Sequence, residues 1–367
     1  MARTHDQTSL SHAGSSTVQH QPPPGAQGTA DMPVLCQDSA TDPLSDVLRM
    51  VKLTGAVFHL VEATFPWGVD VPRARDYSSI ILPRAQHVIS YHIILKGSGW
   101  AGIPGGASTS FEAGDILVLA HGDPYSLLST PGQTPEYDRA ATIGFFREWM
   151  AGKLSFVTRE GGGGAGGAEY MCGFLGCDLR PFNPVLSTLP PLLRLRRSGR
   201  DRRGLLDRLI DLTLADARLP RMGGEAIRLR LSELIFVEVI RLYLDSLPAH
   251  DTGWLSGLRD PAIGRVLTLI HDRPADPWTL ALLAEEAGMS RSAMAARFTH
   301  LIGHSPMQYL TLWRMQIAAR LLADSSMKVA SVGCEIGYKS EAAFSRMFKK
   351  AVGVSPTHWR KMTIAGV

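Results

Sequence analysis

Apolar and polar positions fall into short, turn-punctuated runs from Val57 to about Ile143. VFHLVEA (57–63), HVISYHIIL (87–95), TSFEAG (109–114) and DILVLA (115–120) read as strands, separated by PWG, KGSG, IPGG and HGDP turns. Closely spaced antiparallel strands of this kind predict a small barrel or jelly roll. The run GGGGAGGAEY (161–170) predicts a flexible surface loop. Beyond NPVLSTLPPLLRL the period becomes helical. GLLDRLIDLTLADARL and GEAIRLRLSELIFVEVIRLYLDSL are amphipathic, with Ile227, Leu231, Leu234, Ile235, Val239 and Leu242 on one face. That stripe suits core packing and a dimer seam equally. From Asp260 onward the pattern is helical, in short segments with Gly turns.

Within this last region one arrangement is written twice. GMSRSAMAARFTHLIGHSP (288–306) and GYKSEAAFSRMFKKAVGVSP (337–356) both end Phe-x-x-x-x-Gly-x-Ser-Pro, fifty residues apart. Each follows a short helix-like stretch, TLALLAEEA (279–287) or KVASVGCEI (328–336), so each unit reads as helix, Gly-containing turn, helix. Ser290 and Ser340 stand where N-caps belong, and the Gly before Ser-Pro ends each second helix. On the wheel, Met294, Phe298, Leu301 and Ile302 form the inner face of the first copy; Ser292, Ala296, Thr299 and His300 lie opposite. In the second copy Phe344, Met347, Phe348 and Ala351 face inward, with Ala342, Arg346, Lys349 and Lys350 opposite and Ser345 on the flank. Between the units runs SPMQYLTLWRMQIAARLLADS, with Leu310, Trp313, Ile317 and Leu321 on one face. A rigid spacer of this kind is expected to present both second helices to one side of a DNA duplex, about one helical turn (~34 Å) apart.

These stretches resemble the DNA-binding domain of the AraC/XylS transcription regulators over about residues 260 to 362. The most specific match is GY-x-S…FSR-x-FK…G-x-SP. The region DPLSDVLRMVKLTGAVFHL…YHIILKGSGW…FEAGDILVLAHGD resembles the cupin-type sensor domain found in one branch of that family. The resemblance implies a one-component regulator, usually dimeric, that senses a signal through its first half and binds promoter DNA through its second.

Charge fits that division. The net charge is +4 over 367 residues, but Trp278 to Lys361 holds eleven Lys and Arg against five acids, or +6, leaving −2 elsewhere. A basic end on a mildly acidic body points to a polyanionic partner. Residues 1–40, rich in Ser, Gln, Pro, Gly and His, are expected to be a disordered tail. Asp42 or Thr41 is placed to cap a first short helix. The expected fold class is multidomain α+β. It comprises a cupin-like antiparallel β-barrel (41–195), a helical linker or dimerisation region (196–258) and an all-α tandem helix-turn-helix domain (259–367, units 279–302 and 328–352).

A metal cupin uses a His-x-His pair, a later acid and a further His; the corresponding positions here are Ser90, His92, Lys96 and Tyr125. One ligand in four, with a lysine that repels a cation, argues for a sensing barrel with no metal or cofactor and no catalysis. Its cavity is expected among Trp67, His92, Trp100 and Tyr125. Cys172 and Cys177 in MCGFLGCD admit two readings: ordinary thiols, or a redox switch in which they pair with each other or with Cys36. Cys334, inside a short helix, reads as a small buried thiol.

Candidate DNA contacts are Arg291, Ser292, Ala295, Ala296 and Thr299 in the first unit and Arg314 on the joining helix. Glu341, Ala342, Ser345, Arg346, Lys349 and Lys350 complete them in the second. Arg346 suits a guanine edge, and the lysines suit phosphates. The expected function is a cytoplasmic DNA-binding regulator, an activator by preference, responding to a small molecule or oxidant. Its expected partners are a second copy, promoter DNA and RNA polymerase, and no membrane is implied. The alternatives are a cupin metalloenzyme with a DNA-binding tail and a helical adaptor that binds no DNA.

Overall fold

The computed structural model describes residues 42–51, 53–106, 108–177, 182–196, 204–218, 221–248 and 251–364. The tail expected over residues 1–40, with Cys36, lies outside them. The chain begins with α1 (Pro43–Met50), capped by Asp42, whose carboxylate accepts from Leu44 N and Ser45 N. Four strands and a helix follow: β1 (Leu53–Thr64), β2 (Gly68–Val71), α2 (Ala74–Ile81), β3 (His87–Gly102) and β4 (Thr109–Glu112). Then come β5 (Asp115–Leu119), β6 (Tyr125–Leu128), α3 (Arg139–Met150), β7 (Val157–Gly161), β8 (Gly167–Cys177), α4 (Pro184–Thr188) and β9 (Leu193–Arg196). The strand order is β2-β6-β3-β8-β1-β7, with β4 and β5 also paired to β3, and β9 to β5. All pairs are antiparallel except β1 with β7. The sheet therefore curls into a half-barrel.

Two sequence expectations change here. KGSG (96–99) is no turn but the bend of the sixteen-residue β3, where the register with β8 shifts between Ile94 and Lys96. Gly97 takes φ +76°, and a Cβ there would sit 1.9 Å from the Gly167 carbonyl oxygen, so only glycine permits the bend. One long strand thereby pairs with β5 before the bulge and with β4 and β6 after it. In the glycine run, residues 162–166 form the expected surface loop, but Ala168–Tyr170 belong to β8 and Tyr170 is buried.

Alternation along the strands sorts two cores. Val61, Ile94, Leu117, Tyr170, Cys172 and Phe174 face the half-barrel interior. Phe58, Ile89, Tyr91, Ile93, Val118, Met171 and Leu175 face the other way, onto α5 (Leu205–Arg218) and α6 (Gly224–Ser246). The face of α6 that packs inward is Ser232, Ile235, Phe236, Val239 and Ile240. Ile227 and Leu234, expected on the same stripe, are half exposed.

The outer-face core continues without a break into the helical end, made of α7 (Trp254–Arg259), α8 (Pro261–Asp272), α9 (Leu280–Glu286), α10 (Arg291–Ile302) and α11 (Pro306–Asp324). A third core holds α12 (Val329–Glu335), α13 (Glu341–Val352) and α14 (Pro356–Ile364). The long α11 serves both: Tyr309, Leu310 and Trp313 enter one core, Met315, Ala318, Ala319 and Leu322 the other. This differs from the single apolar face expected for it. The first half of the chain also reaches this region through α1, which packs on α8. Asp46 Oδ2 lies 3.6 Å from His271 Nδ1, and His271 Nε2 shares a 2.8 Å hydrogen bond with Tyr309 Oη.

Candidate DNA interface and sensor cavity

Each helix-turn-helix is fixed by the same local devices. Ser290 Oγ accepts from Ala293 N and Ser340 Oγ from Ala343 N, so both second helices start at matched caps. Both end at a left-handed glycine, Gly303 (φ +77°) and Gly353 (φ +87°). Met294, Phe298 and Ile302 are buried in one unit, Phe344 and Phe348 in the other. The turns differ by one residue: four steps from Glu286 to Ser290, five from Glu335 to Ser340. In the second unit the helices touch so closely that a Cβ on Gly333 would lie 3.1 Å from the Phe344 side chain.

With these faces inward, Arg291, Ser292, Ala296 and Thr299 are exposed on α10 and Ala295 is half-buried. On α13, Glu341, Ala342, Arg346, Lys349 and Lys350 are exposed and Ser345 is half-buried. Among the described residues, no ion pair engages Arg291, Arg346, Lys349 or Lys350. The other arginine of α10, Arg297, is held by Asp260, which also caps α8.

Arg314 is the exception among the expected contacts. Its Nε donates to the Pro274 carbonyl at 2.6 Å and its Nη2 to the Asp276 carbonyl at 2.7 Å, and the guanidinium carbon lies 6.0 Å from the centre of the Tyr338 ring. The fork is occupied in bracing α11 and the 273–276 turn, beside the Tyr338 ring in the turn of the second unit. Cys334 is exposed, correcting its expected burial: α12 is short, and Val332 and Gly333 take its inner face.

The interior of the half-barrel holds a second polar cluster. Cys172 on β8 pairs in register with His59 on β1 and His92 on β3, so the three side chains form a row across adjacent strands. His92 lies 3.1 Å from Cys172 Sγ through Nδ1 and 2.9 Å from Tyr125 Oη through Nε2. Tyr77 Oη and Ser90 Oγ are 3.1 Å apart. Tyr170 Oη donates to Glu160 Oε2 at 3.3 Å. Burial pulls His59 and His92 down to about 3, so both imidazoles are neutral. Burial likewise pushes the Cys172 thiol well up and the Glu160 carboxyl to about 7. A cavity of about 30 Å³ lies among His59, His92, Tyr125, Glu160, Tyr170 and Cys172, closed by α3 through Thr142, Phe145 and Phe146.

Of the expected sensing residues, His92, Tyr125 and Cys172 converge here. Trp67 lies one ring away, packed 5.5 Å from Tyr170. Trp100 does not belong: Gly99 and Ala101 face the interior, so Trp100 points out, half-buried. Cys177 is also on the wrong face. It sits five residues from Cys172 on one strand, among the outer core, and two such cysteines are ~16 Å apart, far beyond disulfide reach. A Cys172–Cys177 disulfide therefore does not fit this fold. Of the four metal-cupin positions, Lys96 leaves the cluster and pairs with Glu169 at 2.6 Å in solvent. Among the described residues, no three His, Cys, Asp or Glu side chains gather to hold a metal ion.

Sequence reasoning missed His59, Glu160 and Tyr170, and missed α3, which covers the cavity. The signal for α3 was present: Asp138 accepts from Ala141 N as its cap, and Thr142/Phe146 and Phe145/Trp149 repeat at helical spacing.

Residues 42–245 match the cupin family and residues 283–362 the helix-turn-helix domain family. A protein named as an AraC-like transcription regulator in Streptomyces lividans is 30% identical over 329 residues, covering 87% of this chain and 98% of that one. The chain belongs to the AraC-like transcription regulators. It is thus a DNA-binding regulator with a cupin-like first half. The HTH-type transcriptional regulator AlkR of Acinetobacter baylyi is 28% identical over 76% of this chain and 90% of its own. Among solved structures, the DNA-binding domain of AdpA in complex with a target DNA is 31% identical over 29% of this chain and 95% of that one, with a TM-score of 0.28. No helix among the described residues is long and apolar enough to cross a membrane.

Proposed function

We propose that this AraC-like regulator is a cytoplasmic, homodimeric activator. In this reading its half-barrel senses a small molecule or an oxidant, catalyses nothing, and biases how its two helix-turn-helix units grip promoter DNA. The observation that carries the DNA side is the fifty-residue repetition of cap, buried face and glycine stop, which leaves Arg346, Lys349 and Lys350 facing outward on α13. Arg346 reads a base edge and the two lysines hold phosphates. Arg291 adds a phosphate contact, and Ser292, Ala295, Ala296 and Thr299 give a close, small-residue fit on the first unit. Glu341, Ala342 and Ser345 line the start of the second. Leu205, Leu212, Ile227 and Leu234, exposed on α5 and α6, support a seam between two copies. The Asp46–His271 contact makes α1 the coupling element between the halves. RNA polymerase is the expected further partner.

Fluorescence anisotropy of the full chain on duplexes from its upstream region tests this. Affinity is expected to fall steeply between about 50 and 200 mM salt, as counterion release requires. Salt-independent binding, or none, overturns the DNA assignment.

A further inference from the structure

The half-barrel cavity adjoins a groove of about 730 Å³ between α3 and β7, and the two meet at a mouth lined by Tyr137, Phe145 and Glu160, which both share. That volume falls in the range of small-molecule sites, whereas the inner cavity holds little more than a water. The shared mouth has an unusual balance of charge. The cavity lining includes one carboxyl, Glu160, and neither lysine nor arginine. The groove's Arg159 is directed into solvent, in an ion pair with Glu62. The carboxylates of Glu136 and Glu148 also act on Tyr137, so the acids near that ring outnumber the cation in the lining, Arg159. Aromatic walls adjoin it: Phe145 lies 6.4 Å from Tyr137 and 5.2 Å from His59, centre to centre. Behind them His59, 3% exposed, turns a ring nitrogen, Nδ1, that the protein leaves without a hydrogen-bond partner. Such an orphan inside a lined cavity marks a site with unused binding capacity.

We propose that this mouth binds a small organic cation, its ammonium against Glu160 and the rings of Tyr137 and Phe145, and its apolar body along the groove. The proposal rests on reading the half-barrel as the effector-sensing half. An anion would face Glu160 with no counter-charge in the cavity. A neutral apolar molecule would cover the carboxyl and leave it short of solvent. A cation restores the ionised carboxylate and adds attraction to the ring faces. The raised Glu160 carboxyl, faced by Tyr170, Tyr137 and Glu136, is what a carboxyl lacking such a partner shows.

Isothermal titration of the full chain at pH 7 with 2-phenylethylammonium, 2-phenylethanol and phenylacetate separates these classes, since the three differ little except in head-group charge. The ammonium is expected to bind roughly 10-fold tighter than either of the others. Glu160→Gln, which keeps an acceptor for Tyr170, is expected to erase that preference, and Phe145→Leu to reduce it. Equal or tighter binding of phenylethanol or phenylacetate overturns the proposal, as does failure of all three to bind. An unchanged preference in Glu160→Gln overturns it too. Should Glu160→Gln fail to fold, Phe145→Leu decides in its place. DNA anisotropy on the same preparation reports separately on the regulator reading.

Discussion

Replacing Arg314 by alanine separates two roles that a basic residue on a DNA-binding domain can play. The side chain makes two charge-assisted hydrogen bonds, to the carbonyls of Pro274 and Asp276. Such bonds contribute ~1.5–3 kcal/mol each, and because the guanidinium is only half-buried the lower end applies, giving ~3 kcal/mol in all. At roughly 2–4 °C per kcal/mol, the thermal transition should fall by about 6–12 °C. Arg314→Lys should recover little, because a point charge cannot span two carbonyls as the planar fork does. Below the transition, the dependence of DNA affinity on salt should match that of the native chain. Differential scanning calorimetry and anisotropy on the same protein give both readouts. A native melting profile combined with a salt slope reduced by about one would refute the brace and restore Arg314 as a phosphate contact.

Arg346→Ala should cost ~1–3 kcal/mol on a cognate site and relax preference at one base position, whereas Lys349→Ala should weaken all sequences alike, as a duplex panel would reveal. Phe348→Ala should destabilise the second unit by ~3–5 kcal/mol, since it empties the centre of a small core, and urea unfolding measures it. Leu212→Glu, on an exposed apolar position, should turn dimers to monomers in sedimentation without lowering the monomer's stability. Acid should act through His59 and His92. Both stay neutral in the folded chain down to about 3, while the unfolded chain protonates them below 6.5. The unfolded state therefore binds more protons in that window, and stability falls as pH drops through it, by up to ~1.4 kcal/mol per unit for each. Glu160 opposes this from about 7 down to 4.5, because its folded form is the more readily protonated. His271, also lowered by burial, acts in the same direction as His59 and His92, so at least one histidine's worth of loss should survive in urea midpoints between pH 6.5 and 4.5, and a flat profile would contradict neutral buried imidazoles.

Much of the DNA-binding end was legible in the sequence because its determinants are local. Caps, glycine stops and a 3.6-residue apolar period act within a dozen residues, and Ser290, Ser340, Phe298 and Phe348 are all where that pattern puts them. His92 and Tyr125 were likewise among the expected cavity residues, and both line it. What sequence could not fix was which residues meet across the fold. His59 joins Cys172 through strand register, Glu160 joins Tyr170 through a hydrogen bond over ten residues, and Arg314 meets carbonyls some forty residues away. Trp100 and Cys177 were misassigned for the same reason: a bulge and a single step along a strand decide which face a side chain takes. Local free energies select most helices and their ends, so the chain alone showed those, whereas the full extent of β3 and β8 depends on long-range pairing. Partners and pockets depend on how those elements close on one another, and only the tertiary structure decides that.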